Sequence, residues 1–403
     1  MMLGDAVYPD KTGGSWRFLH DMAEGLSARG HRVDVLVPKV SFGLPERELL
    51  DGFTLWRYGD ADKGPASQLR LVMALRQLML SLSGERWDFI NYHFAWPSVA
   101  SIPMPAASLI KVPLIYTFQG PWCEEYLSTL RGIDKKPLQQ ARIRISYRLR
   151  RAMEGRLLRR CRQILVLSNF SRETLRRIHG SGLNVMVMKG GIKPESTAVH
   201  LTKYEARRRL GLAKDRQIIF TVRRLSPRMG LDILIEAMLP LRRSLSNIHL
   251  IIGGRGESQA ELQRLISRHG LDSIARLEGF IPEDKLALYL RAADLVAMPS
   301  LELEGFGLVS LQAMMNGTPV MGTPVGGNRE LIGSLDKRLL FKGLSPHILA
   351  EGMADFFAHR SRYPSADEVL DFYNNNYDWE MVLNDWENAF TAIVASSGGQ
   401  SSD

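Results

Sequence analysis

The sequence predicts an α/β protein of two Rossmann-like domains, each a parallel sheet with crossover helices. Three observations carry this. The chain has 403 residues, too many for one ordinary hydrophobic core and ample for two α/β domains. Short apolar runs alternate with amphipathic stretches, the pattern of strands joined by crossover helices. The alternation comes in two series, separated by the polar stretch 193–203, which gives expected domains over residues 1–195 and 200–375.

Taken in order, MMLGDAVYPD places a short first strand almost at residue 1. WRFLHDMAEGLSARG (16–30) follows with helical periodicity. HRVDVLVP (31–38), WDFINYHF (87–94), VPLIYTF (112–118) and QILVLS (163–168) are the buried strands of the first series. Before the last of them, Ala141, Ile145, Leu149, Ala152 and Met153 recur at helical spacing, with Arg144, Arg148 and Arg151 on another face. The second series is QIIFTV (217–222), IHLIIGG (248–254), ARLEGF (275–280), DLVAMPS (294–300) and TPVMGT (318–323). YDWEMVLNDWENAFTAIV (377–394) reads as a Trp-rich amphipathic helix, and the tail of about ten residues ending SSGGQSSD as disordered.

Composition narrows the function classes. The most apolar stretch, 99–118, is broken by Pro103, Pro105, Lys111 and Pro113, so it predicts a turn and a strand rather than a membrane span. The start lacks a basic segment followed by an apolar run, so no secretory leader is expected. Cys123 and Cys161 are the only cysteines and make neither a disulfide framework nor a metal spacing, which fits a reducing cytoplasm. The formal net charge is +9, but residues 131–162 alone hold twelve Lys and Arg against Asp134 and Glu154. That local excess of ten leaves about −1 for the rest, so the chain is not a general polyanion binder. No recognition motif or aromatic stacking platform is present, and nucleic acid is not an expected partner. The basic segment, 131–160, has two readings: docking onto anionic lipid headgroups, or a solvated face over the N-domain core.

Three motifs carry chemistry. In DKTGGSWRFLHDMAEGLSARGH (10–31), Gly13 and Gly14 fall between a strand and a helix. Paired glycines there let a phosphate approach backbone N–H groups, though an ordinary strand-to-helix turn has the same look. In FTVRRLSPRMGLDILIEAM (220–238), Arg223, Arg224 and Arg228 follow a strand. That is the carboxyl end, where open α/β sheets bind ligands, and the planar arginine fork suits a diphosphate. A solvated basic loop is the alternative. In MPSLELEGFGLVSLQAMMNGTPVMGTPVGGNREL (298–331), an acidic loop leads to Gly305-Phe306-Gly307 and a helix, with Glu304 and Gln312 eight positions apart.

This third motif resembles the E-x(7)-E signature of the retaining glycosyltransferases of family four, which have the GT-B fold: two Rossmann-like domains facing each other across a cleft. TFQGPW (117–122), VLSNFSRETL (166–175), IIGGRG (251–256), LEGFI (277–281) and PVGGNREL (324–331) fall in that family's order, and the resemblance covers about residues 3–335. It implies that Gly13 and Gly14 face the donor diphosphate, which Arg224 and a second cation hold. It places Gly254 on the donor side, Phe280 at the nucleobase and Glu304 beside the transferred sugar. The amides of Phe306, Gly307 and Leu308 point to that sugar as well, and position 312 meets the ribose hydroxyls. His93, Gln119 and Gly120 lie on the acceptor or sugar side. The 377–394 helix crosses back to the N-domain, with Trp379 and Trp386 as packing residues.

The implied activity is a retaining transfer from a nucleoside diphosphate sugar, UDP- or GDP-linked, to the hydroxyl of a sugar or lipid-linked acceptor. The setting is cell-envelope polysaccharide, glycolipid or other glycoconjugate synthesis. Glu304, Arg224 and Arg228 are the expected catalytic groups. Arginines stand in for a metal, so neither metal nor cofactor is required. The expected location is cytoplasmic, peripheral on the inner membrane face if the basic helix docks there. Three positions depart from the family pattern. Met229 replaces the usual Lys, with Arg228 adjacent. Gln312 replaces the second glutamate. Gln119 replaces a His and cannot carry a proton at neutral pH, for which His93 offers partial compensation. These departures motivate an alternative, a nucleotide-sugar-binding regulatory or partner subunit with weak turnover. A sugar-nucleotide epimerase on the same architecture is disfavoured by the E-x(7)-E-like segment.

Overall fold

The computed structural model describes residues 1–60, 67–101, 112–130, 137–194, 198–199 and 201–398. The chain forms two compact units. The first holds Met1–Leu127, Gly132–Gly190 and Glu380–Asp403, and the second Gly191–Trp379 with Ser128–Arg131.

The first unit runs β1 (Met2–Leu3), α1 (Gly14–Ala28), β2 (Asp34–Pro38), β3 (Arg47–Leu50), β4 (Phe53–Tyr58), α2 (Ser67–Ser81), β5 (Ile90–Tyr92), α3 (Ala95–Ser101), β6 (Leu114–Phe118), α4 (Trp122–Ser128), α5 (Pro137–Leu158), β7 (Gln163–Val166), α6 (Asn169–His179) and β8 (Val185–Val187). Its strands make one sheet in the order β3-β4-β2-β1-β5-β6-β7-β8, parallel except for β3. β1 is short yet central: Leu3 lies opposite Leu36 on one side and Tyr92 on the other. Strand order therefore reverses between β1 and β5, and the crevice outside their carboxyl ends is where such sheets take ligands.

The β3–β4 hairpin is absent from the sequence-based reading. Leu50 pairs with Phe53 across Asp51-Gly52, whose φ angles are 46° and 91°. That is the Asp-Gly turn of a two-residue hairpin. RELL in β3 alternates exposed and half-buried positions and so offers no apolar run.

The second unit runs α7 (Lys203–Arg209), β9 (Gln217–Val222), α8 (Leu231–Ser244), β10 (Ile248–Gly253), α9 (Gln259–Arg268), β11 (Ala275–Gly279), α10 (Glu283–Ala292), β12 (Leu295–Met298), α11 (Leu308–Met315), β13 (Val320–Gly322), α12 (Gly327–Leu335), α13 (Pro346–Ala358) and α14 (Ala366–Tyr377). The sheet is wholly parallel, in the order β11-β10-β9-β12-β13. Parallel sheets covered on both faces need continuous apolar strands. Phe220, Leu250, Ile251 and Val296 are accordingly inaccessible, and Phe220 stacks on Tyr289 at 5.4 Å. Order reverses here between β9 and β12, which brings the loops after those strands together.

The C-terminal segment breaks at Asp378, so Tyr377 ends α14 and a new helix, α15 (Trp379–Gly398), begins. From Glu380 on it belongs to the first unit. Trp386 is fully buried, edge-on to Phe18 at 5.3 Å, with its indole N–H donating to the Lys189 carbonyl at 2.8 Å. Arg29 bonds both Glu380 at 2.6 Å and Glu387 at 2.7 Å. This packing carries the helix to Gly398, further than the polar tail predicts, and residues 399–403 lie outside the described residues.

α5 meets both sequence-based readings of the basic segment in part. Its C-terminal end is docked: Glu154 is buried between His179 Nε2 and the Trp122 N–H, both at 3.1 Å, and Leu157 and Leu158 are buried too. The apolar stripe before it is not spent on the core. Leu138 is 82%, Ile145 66% and Leu149 58% exposed, with Ala141 and Ala152 also exposed. Exposed Arg142, Arg144 and Arg148 flank the stripe. Residues 131–136, the start of the basic segment, lie outside the described residues. Among the described residues, no helix is long and apolar enough to cross a membrane.

Candidate active site

In the second unit the site grows from the carboxyl ends of β9 and β12. Arg223 follows β9 directly and Ser300 stands two residues past β12. Arg223 Nη1 donates to Ser300 Oγ at 2.6 Å, and Ser300 Oγ donates to Glu304 Oε2 at 2.6 Å. Arg223 Nη2 bonds the same carboxylate oxygen. The loop carrying Glu304 is strained: Leu303 has φ 52°, costly for a residue with a side chain. Two contacts hold it there. Arg228 donates to the Leu303 carbonyl at 3.3 Å, and the Gly327 N–H to the Glu304 carbonyl at 2.7 Å. Burial pushes the Glu304 carboxyl upward, but the Arg223 charge, the Ser300 hydrogen bond and Arg228 outweigh it and hold the group below the ordinary carboxylate value. Glu304 is therefore ionised at neutral pH.

The helix after this loop, α11, begins at Leu308 behind Gly307, whose φ is 92°. A Cβ on Gly307 would lie 2.7 Å from Asn328 Oδ1, so glycine is required for the sharp entry. The first N–H groups of a helix lack intrahelical partners and favour negative charge. Phe306 is buried, with its ring 6.0 Å from Tyr377. Gln312 lies in the second turn of α11 and is half-buried. Asn328, fully buried, receives a bond from Ser310 Oγ at 3.2 Å, while its own Nδ2 has no partner among the described residues.

The remaining second-unit candidates stand nearby in the fold but differ in setting. Arg224 points to solvent, 62% exposed, and meets Glu257 at 3.3 Å. Gly254 is needed for backbone approach: a Cβ there would lie 1.8 Å from the Arg223 carbonyl. Phe280, just past β11, is 43% exposed with the Arg255 guanidinium over its ring at 5.5 Å. Sequence reasoning grouped Arg223 with the basic loop but gave it no role, and it missed Ser300. The available signal was strand alternation: adjacent arginines leaving a strand end point to opposite sides, so one of the pair turns inward.

In the first unit, Gly13 caps α1 with φ 151° and Gly14 is the first helical residue. The loop before them is pinned by Arg57, buried at the end of β4, whose guanidinium grips Asp10 at 2.6 and 2.8 Å. His93 follows β5 and Gln119 and Gly120 follow β6. His93 Nε2 meets Asn91 Nδ2 at 3.1 Å, and Asn91 Oδ1 accepts from Thr117 at 2.9 Å. His93 Nδ1 and Gln119 Nε2 are both buried without a partner among the described residues. Burial lowers the His93 pKa to about 3, so the ring is neutral near pH 7. It offers hydrogen bonds.

A family model described as Glycosyltransferase Family 4 matches residues 12–196, and one described as Glycosyl transferases group 1 matches residues 202–376. The chain is 28% identical to an uncharacterized glycosyltransferase of Methanocaldococcus jannaschii, covering 97% of each sequence. It is 24% identical to the phosphatidyl-myo-inositol mannosyltransferase of Mycobacterium leprae, covering 96% of this chain and 95% of that one. Among solved structures, HepE of Anabaena in complex with UDP and glucose superposes with a TM-score of 0.75 at 20% identity, over 97% of this chain and all of that one.

Proposed function

This chain belongs to the family-four glycosyltransferases of GT-B fold, and we propose that it is a retaining transferase using a nucleoside diphosphate sugar. The observation that carries the proposal is the ionised Glu304, held at the carboxyl ends of β9 and β12 beside the N-terminus of α11 and the basic loop of Arg223, Arg224 and Arg228. The bond from the sugar's anomeric carbon to the diphosphate breaks, and the acceptor oxygen bonds that carbon on the same face. The acceptor's proton passes to the departing diphosphate. Arg224 and Arg228 stabilise the charge that develops there, and Glu304 supports the electron-poor sugar ring; fixed charges aimed at developing charge supply much of the rate. Phe280 suits the nucleobase and Gln312 the ribose. Within the first unit, the Gly13–Gly14 entry to α1 suits an anionic group, and His93 and Gln119, each with a buried nitrogen that has no partner among the described residues, suit a sugar hydroxyl. No metal is required in this scheme. A UDP-linked donor is supported by the UDP held by HepE. Incubating purified protein with UDP- and GDP-sugars, and reading product configuration by NMR, tests the reading. An α-linked donor yielding an α-linked product supports it, an inverted product refutes it, and tight nucleotide-sugar binding without turnover favours the regulatory alternative.

The same proposal places the protein at an anionic membrane surface, in glycolipid or envelope polysaccharide synthesis. The support is the exposed apolar stripe of α5 with arginines on its flanks; the lipid substrate named for the Mycobacterium leprae relative agrees with it. Each cation near such a surface adds about 1 kcal/mol. Replacing Arg142, Arg144 and Arg148 by Gln should therefore weaken binding to anionic vesicles by about 100-fold. Arg151 is left intact because it donates to the Ile178 carbonyl at 2.9 Å. Attraction screened over about 8 Å at physiological salt should fade as salt rises. Sedimentation of the triple variant like the parent would refute the membrane role.

A further inference from the structure

Arg223 has no task in the transfer described above, yet its surroundings are built for one. Its side chain is 5% exposed, and Ser300 beside it is fully buried. The guanidinium reaches Glu304 twice, once directly through Nη2 and once through Ser300 Oγ. Two donors, from the ends of two different strands, converge on one carboxylate oxygen and anchor it more firmly than a single ion pair would. Both contacts fall on Oε2, and among the described residues Oε1 is the oxygen left for a ligand. The backbone at Arg223 is fixed as well, by the close approach of Gly254 to its carbonyl.

We propose that Arg223 is a positioning residue for the transfer: with Ser300 it clamps the Glu304 carboxylate in one orientation, with Oε1 turned to the donor sugar. The inference rests on Glu304 serving the donor sugar, as proposed above. Arg223 then acts through Glu304, whereas Arg224 acts on the diphosphate. The charged groups acting on Glu304 are Arg223, from the end of β9, and Arg228, from the turn before α8. Without Arg223, burial dominates and the Glu304 carboxyl moves up toward neutrality.

The test uses the full chain with Arg223→Gln and Arg223→Lys. Infrared difference spectroscopy, with Glu304→Gln to assign the band, follows the Glu304 titration without any substrate. Arg223→Gln should raise that titration by at least one pH unit and move the acid limb of kcat with it. It should lower kcat at least tenfold and leave UDP affinity, by calorimetry, within about twofold. Arg223→Lys should restore the titration but only part of kcat, because an ammonium cannot reproduce the planar fork. A Glu304 titration unmoved in Arg223→Gln overturns the clamp. UDP affinity falling as steeply as kcat overturns it too, making Arg223 a phosphate ligand. A parent protein that turns over no nucleotide sugar sinks the transferase reading instead, and the infrared titration still decides whether Arg223 holds Glu304.

Discussion

Glu304→Gln is expected to lower turnover of the sugar donor by about 10²–10³-fold, the cost of removing one fixed electrostatic partner from a transition state. Glutamine keeps the length of the side chain and an oxygen to accept from Arg223. What it loses is the negative charge that the proposed scheme sets beside a sugar ring that becomes electron-poor as the diphosphate departs. In the proposed scheme the nucleotide half of the donor is bound elsewhere, so affinity for UDP should change little. Steady-state kinetics separate the two: a fall in kcat at constant UDP affinity is the expected pattern. A comparable loss in both would move Glu304 from the sugar to the nucleotide. The variant also bears on stability, because Arg223, 5% exposed, loses its charged partner. Breaking a buried pair outright costs about 3–5 kcal/mol; the retained amide acceptor should keep the loss below that, and a melting curve checks that the variant is folded. In the parent, the lowered Glu304 pKa contributes stability that is fully present above the ordinary carboxylate range and lost as pH falls through the lowered value.

Trp386→Ala should destabilise the first unit by about 3–5 kcal/mol, the range for deleting a large buried aromatic. The residue is fully buried and touches Phe18 and Phe390, with ring centroids 5.3 and 5.7 Å away. Its loss also strips the Lys189 carbonyl of the indole N–H. α15 follows α14 in sequence but packs in the first unit, so the effect tests whether this last helix is integral to that core. Urea unfolding followed by circular dichroism measures it. A cost below about 1 kcal/mol would mean that α15 is an appendage.

Much of the architecture was legible because parallel sheets buried on both faces write long apolar runs into the sequence. Gln217–Val222 matches its predicted strand at both ends, and Ile248–Gly253 differs by one residue. The β3–β4 hairpin was missed because an edge strand half-open to water carries no such run, although its Asp-Gly turn was present as a signal. In the site, the spacing of Glu304 and Gln312 correctly placed one in a loop and the other inside a helix. Spacing does not show which of two adjacent arginines turns inward, and Arg223 meets Glu304 only because β9 and β12 are sheet neighbours far apart in sequence. The face of α5 that meets water was likewise illegible, since periodicity finds an apolar stripe without saying what covers it.

The most direct measurement for the account is the melting temperature of the protein with UDP, GDP, ADP and TDP, each beside its nucleoside, in the presence of EDTA. A ligand bound only to the folded state adds about 2.7 kcal/mol of stability at a hundredfold excess over its dissociation constant. A clear rise is expected with one of the uridine or guanosine diphosphates, a far smaller one with the matching nucleoside, and no dependence on divalent metal, because the proposed scheme has arginines meet the phosphates. A protein whose melting temperature responds to none of the diphosphates, or responds only when metal is restored, would contradict it.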